Sequence, residues 1–78
     1  MDKLKAIEAF SYNVKMLRSK RELTLDELGT LLGVTRQRVW SIENGKTWTS
    51  TETIEKLSKI FKIEETDLFD PNLEKRLK

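Results

Sequence analysis

The chain contains no cysteine and no histidine in its 78 residues. The first absence removes disulfides, thiolate metal sites and thiol nucleophiles together. The second removes the commonest general base and the commonest metal ligand. Proline occurs once, at Pro71, and glycine three times, at Gly29, Gly33 and Gly45. Alternating strand patterns are missing, so the stretches between these breakers read as helix. Apolar runs last only a few residues, too short to span a membrane, and the N-terminus lacks a signal-peptide pattern. Carboxylates fall at helix caps and on solvated faces, not as a convergent pair in an apolar cleft. The expectations are therefore no enzyme activity, no metal, no cofactor, no small-molecule ligand and a reducing, cytoplasmic setting.

Fifteen Lys and Arg against thirteen Asp and Glu give a formal charge of +2, too little to identify a partner. Its distribution says more. Residues 1–48 carry nine basic and six acidic side chains, a net +3, whereas residues 49–78 carry six and seven, a net −1. A chain of this length makes one small domain, 1–78, whose modest core calls for efficient helix packing, a partner chain or both.

Leu4, Ile7, Phe10, Val14 and Leu17 recur every three or four residues and predict a long first helix ending near Arg21. A break around Ser11 to Asn13 stays open. Thr24-Leu25-Asp26-Glu27 is a capping box that opens a second helix, with Leu25, Leu28 and Leu32 as its stripe and Gly33 at its end. Thr35 caps a short third helix that runs to Glu43, and Asn44-Gly45 stops it. A loop follows from Lys46 to Ser50. Thr49 and Glu52 form a second candidate box before a fourth helix carrying Ile54, Leu57 and Phe61. Ile63 to Phe69 reads as a short fifth helix closed by Pro71.

Two short helices joined by a tight glycine-containing turn have the geometry of a helix-turn-helix. Gly29 adds to this. A glycine inside a helix costs roughly 1 kcal/mol, which a close approach by another helix backbone explains.

The stretch LTLDELGTLLGVTRQRVWSIENGKTWTSTETIEKLSKIFKI resembles the phage-repressor (lambda-repressor-like, Xre) helix-turn-helix family. A capped helix bearing L-G, then G-V-T, a recognition helix, E-N-G-K, and a fourth helix T-I-E-K-L follow without a gap. The motif covers about residues 24–44 and the resemblance about Val14 to Phe69. Two departures are Leu25, where the family often has glutamine, and Thr49, where it often has proline. The resemblance implies an all-α, compact bundle of about five helices that binds double-stranded DNA in the bacterial cytoplasm or nucleoid. It implies a transcription regulator, typically a repressor on a palindromic operator. The alternative is a helix-turn-helix module acting mainly through protein–protein contacts, like an antitoxin or co-regulator, since fold alone does not fix function. Exposed Trp40, Trp48 and Leu31 would speak for it, although Leu31 at the edge of its stripe could equally be core.

At about 100° per residue, Val39 and Ile42 of the recognition helix share its buried side. Gln37, Trp40 and Ser41 then point outward, with Arg36 and Arg38 on the flanks. Arginine pairs bidentately with guanine and glutamine with adenine. By resemblance, Arg36, Gln37 and Ser41 occupy base-contacting positions, while Arg38 reaches phosphate. Trp40 has three readings: contact with a thymine methyl, packing back on the helix surface, or anchoring a protein. The resemblance also places Thr24, Thr35, Asn44, Lys46 and Thr47 near phosphates. It pairs Arg18 with Glu43 as an architectural link, worth under about 1 kcal/mol if exposed. The family dimerises largely through its C-terminal helices, so the resemblance implies a homodimer with Ile60, Phe69 and Leu73 as interface candidates and Ile63 and Leu68 in the monomer core. The N- and C-terminal extensions are further candidates for dimer contacts.

Overall fold

The computed structural model describes the backbone of residues 3–77 and the side chains from residue 6 to residue 77. The side chain of Leu4 lies outside the described residues. Five α-helices run in chain order: α1 (Lys3–Lys20), α2 (Leu25–Leu32), α3 (Arg36–Glu43), α4 (Thr51–Phe61) and α5 (Leu73–Arg76). A 3-10 turn, Glu65–Phe69, separates the last two. No strand occurs among the described residues.

α1 is unbroken through Ser11–Asn13 and is wrapped on both sides, by α3 on one and by the 3-10 turn and α5 on the other. Its buried surface is accordingly wide. Phe10, Val14 and Leu17 are joined in the interior by Ser11, Asn13 and Met16. Asn13, 1% exposed, donates through Nδ2 to the carbonyl oxygens of Leu68 and Asp70, both at 2.9 Å. Burying that amide costs little because both protons are satisfied.

The remaining core comes from Leu28 and Leu32 of α2, Val39 and Ile42 of α3, Leu57 and Phe61 of α4, and Leu68 and Leu73 near the C-terminus. Each is 3% exposed or less. Leu73 was expected at a dimer interface. At 1% exposure it is instead a core residue, because α5 turns it inward against α1. Leu31 points the other way, 53% exposed, and is not core.

The helix ends share one device. α1, α2 and α4 each finish with a residue at positive φ, at Glu22 (56°), Gly33 (75°) and Lys62 (56°). In each case the next amide donates back across five residues: Leu23 to Arg18, Val34 to Gly29 and Ile63 to Ser58. This is a Schellman closure, which satisfies carbonyls left over at a helix end. Arg21 adds a second stopper for α4, donating to the carbonyls of Ile60 and Phe61 at 3.3 and 3.2 Å.

Two sequence expectations shift in register. α4 is capped by Ser50, whose Oγ accepts from the amide of Thr53 at 3.3 Å. Thr49 is buried at 4% exposure, and Glu52, one residue short of the required position, does not close a box. The segment after Ile63 forms the 3-10 turn and not a regular helix, since Asp67 reaches back to the amide of Glu64 (3.0 Å) and tightens it. Pro71 follows this turn, as expected of its closing residue, and a further short helix, α5, comes after it.

Candidate nucleic-acid interface

The α2–α3 unit is built from reciprocal caps. Thr24 Oγ1 accepts from the Glu27 amide at 3.0 Å, and Glu27 Oε1 accepts from the Thr24 amide at 2.8 Å. Thr35 Oγ1 accepts from the Arg38 amide at 3.1 Å. In both threonines the cap uses a lone pair of the hydroxyl oxygen and leaves its proton free to donate. The Thr24 amide itself is taken by Glu27, so the hydroxyl is the group it can offer outward.

Between the two helices the turn is held at its closest point by Gly29. A Cβ placed there would lie 2.8 Å from the Val34 carbonyl oxygen. The close approach comes from the turn leading into α3, not from another helix. With Gly33 in the left-handed conformation, the chain reverses over four residues and α3 crosses α2 with its inner face down.

That inner face is Val39, Ile42 and the lower part of Glu43, all buried. Glu43 is fixed from α1. Arg18 Nε donates to Glu43 Oε2 at 2.6 Å, Arg18 Nη2 to Oε1 at 3.0 Å, and Arg18 Nη1 to the Leu23 carbonyl at 2.8 Å. The side chains are 16% and 2% exposed, so this is a shielded fork and the small worth of an exposed pair does not apply to it. Its hydrogen bonds to the carboxylate raise the Arg18 pKa above its ordinary value, outweighing partial burial. The fork also answers the unfavourable position of a carboxylate at a helix C-terminus.

With that face locked, Arg36, Gln37, Arg38 and Trp40 are exposed and Ser41 is half-exposed. Trp40 is 43% exposed. With Arg36 and Gln37 it lines a cleft that Leu25, the first residue of α2, also lines. On the other flank Arg38 lines a second cleft with Ser50, Thr53 and Lys56 at the start of α4. A model of the helix-turn-helix family, of Cro/C1 type, matches residues 14–68, well over half of the chain. The chain belongs to the helix-turn-helix family. A comparison with curated proteins gives no match.

The helix-turn-helix family is one of DNA-binding regulators and not of enzymes. In this helix-turn-helix protein, the loop after α3 carries Asn44, Lys46 and Thr47. Asn44 Nδ2 donates to the Trp40 carbonyl at 2.8 Å, so one of its two amide protons is already used at the helix end. Thr47 Oγ1 donates to the Trp48 carbonyl at 3.2 Å. Lys46 is exposed.

Trp48, least constrained in the sequence, anchors this loop. Its ring lies 5.6 Å from Phe10 and 5.9 Å from Phe69, which stack on each other at 5.2 Å. Phe69, a dimer candidate, is thereby half-covered within the monomer, and Ile60 is half-buried on α4. Sequence reasoning did not single out Leu25 as a surface residue, or Lys56. Leu25 had a signal available, its departure from the glutamine common in the family. Lys56 carried none, because its role depends on α4 crossing the turn, where Nζ donates to the Leu32 carbonyl at 3.3 Å. No group of three His, Cys, Asp or Glu able to hold a metal occurs among the described residues. No helix among them is long and apolar enough to cross a membrane.

Proposed function

We propose that the chain is a sequence-specific transcriptional regulator that binds a palindromic operator as a homodimer and represses by occupying it. The observation that carries this reading is the two-sided character of α3. Its inner face is immobilised by Val39, Ile42 and the Arg18–Glu43 fork, while its outer face displays Arg36, Gln37 and Ser41 with no structural duty. A rigid element presenting donors outward suits major-groove readout.

Arg36 and Gln37 take the base-reading roles, to guanine and adenine respectively, with Ser41 and Trp40 beside them. Arg38, Lys46, the remaining amide proton of Asn44, Thr47 on releasing the Trp48 carbonyl, and the free hydroxyl protons of Thr24 and Thr35 take phosphates on either side, fixing register without reading sequence. Ile60 and Phe69 remain partly accessible for a partner copy, and exposed Leu77 (42%) extends that C-terminal region. Such a regulator works in the bacterial cytoplasm or nucleoid.

The test is selection of bound duplexes from a random library at fixed salt. The expected result is a twofold motif with half-sites about one helical turn apart. Arg36→Ala and Gln37→Ala each relax one base position, by roughly 1–3 kcal/mol. Affinity falls with salt at a log–log slope of about −0.9 per phosphate neutralised. A second reading, a protein-binding module, draws on the exposed Leu31 and on an apolar hollow formed by Ala6, Ile7, Trp48 and Phe69. Recovery of no motif with only weak retention would favour it.

A further inference from the structure

The cleft between α2 and α3 has unusual walls for a surface that meets a polyanion. Leu25 and Trp40 line it together with Arg36 and Gln37, so that two apolar side chains share the cleft with a guanidinium and an amide. Leu25 is half-buried, and Trp40 is 43% exposed. The space amounts to about 230 Å³. That is below the roughly 300–1,000 Å³ typical of small-molecule sites, and the cleft is open on one side. It suits the edge of a flat group with one small apolar projection, entering beside hydrogen-bond acceptors.

The major groove offers one such group. Thymine projects a 5-methyl there, next to the acceptors of a neighbouring purine. We infer that the Leu25–Trp40 cleft is a thymine-methyl receptor, which makes this chain require a thymine beside the purine that Arg36 or Gln37 reads. The inference rests on the DNA-binding reading above and adds a base preference that hydrogen bonding does not supply. Leu25 stands at the N-terminus of α2, and Trp40 lies one turn beyond Arg36, so each half-site presents one such cleft. The guanidinium of Arg36 and the amide of Gln37 in the lining favour a base edge over an apolar protein side chain.

The experiment takes the operator recovered by the selection and replaces each thymine in turn with deoxyuracil. This removes the methyl and keeps every hydrogen-bonding group. Burial of one methyl corresponds to about fourfold in affinity, so loss from both half-sites gives about fifteenfold. The expected result is such a loss at one symmetric pair of thymines and little change elsewhere, with Leu25→Gln and Trp40→Ala abolishing the sensitivity. Trp40 is exposed, so its variant serves if Leu25→Gln fails to fold. An operator whose affinity stays within about twofold at every uracil substitution overturns the inference and leaves DNA reading intact. Equal sensitivity in the wild type and the Trp40→Ala variant overturns the assignment to this cleft. Failure to recover any operator overturns the DNA reading itself, a result that the uracil scan does not produce.

Discussion

Arg18 on α1 and Glu43 at the end of α3 form a two-pronged ion pair, 2.6 and 3.0 Å, across elements 25 residues apart. Glu43 has almost no contact with solvent, so removing its partner strands a charge. Arg18→Ala is expected to cost about 3–5 kcal/mol, and replacing both residues with apolar ones to recover most of that loss. A domain of this size holds only about 4–12 kcal/mol in total. The single variant should therefore sit near its unfolding midpoint at moderate temperature. Urea denaturation of the two singles and the double checks this, and additive losses would sink it.

Gly29→Ala sets helix propensity against a clash. The alanine gains about 1 kcal/mol as a helix former. Its Cβ would meet the Val34 carbonyl oxygen at 2.8 Å, and the turn there is pinned by the Val34 amide bonded to the Gly29 carbonyl at 2.9 Å. Because the opposing atom is backbone, the clash should win, with a net loss of about 1–3 kcal/mol. A thermal melt that rises in this variant would contradict the geometry.

The two non-glycine residues at positive φ should behave in the opposite way. Glu22→Gly and Lys62→Gly relieve left-handed backbone at helix ends that are otherwise closed correctly. Each is expected to stabilise by about 0.5–1 kcal/mol after the entropy of glycine is subtracted. For a chain this short that is a rise of several degrees in Tm.

Trp48→Ala deletes two aromatic contacts, to Phe10 and Phe69, from a half-exposed ring. The expected cost is about 1–2 kcal/mol of stability. Since the loop it anchors carries the proposed phosphate donors, affinity for operator and for unrelated duplex should fall by a similar factor. A selective loss on the operator alone would assign Trp48 to base reading instead.

Arg76 on α5 pairs with Asp67 and Asp70, at 2.7 and 2.8 Å, and this C-terminal pairing is acid-sensitive in a defined direction. The hydrogen bond from Arg76, and then that from the Glu64 amide, hold the Asp67 carboxyl below the usual carboxylate range. A depressed pKa adds stability above the unfolded value, about 3.9, and loses it as pH falls through the folded one. Tm should thus decline more steeply below about pH 4 in the wild type than in Asp67→Asn, as calorimetry over pH 2.5–7 would reveal.

The first four helices and their core stripes were legible because period and caps agreed: Thr24 with Glu27, Thr35, and Gly33 all act as their residue types require. α1 ends at Lys20, within one residue of the expected Arg21, although its closing left-handed residue, Glu22, carries no glycine signal. The α4 cap fell to Ser50 and not Thr49, two hydroxyl residues side by side whose choice is made by packing. In the candidate site, the outward set on α3 followed from helical angle. The Leu25–Trp40 cleft did not, because it needs the crossing of two helices. Neither did the shielding of Glu43, which depends on where α1 lies.

Asn13 ties the first helix to carbonyls 55 and 57 positions further along the chain. α1, which packs against α3, is thus tied to the C-terminal segment, and the order of the helix-turn-helix depends on both being in place. Cutting the chain after Phe61 would therefore not leave a working reader. Amide protons of α3 should exchange with solvent at the rate set by global opening, so that binding competence is lost in a single step on heating.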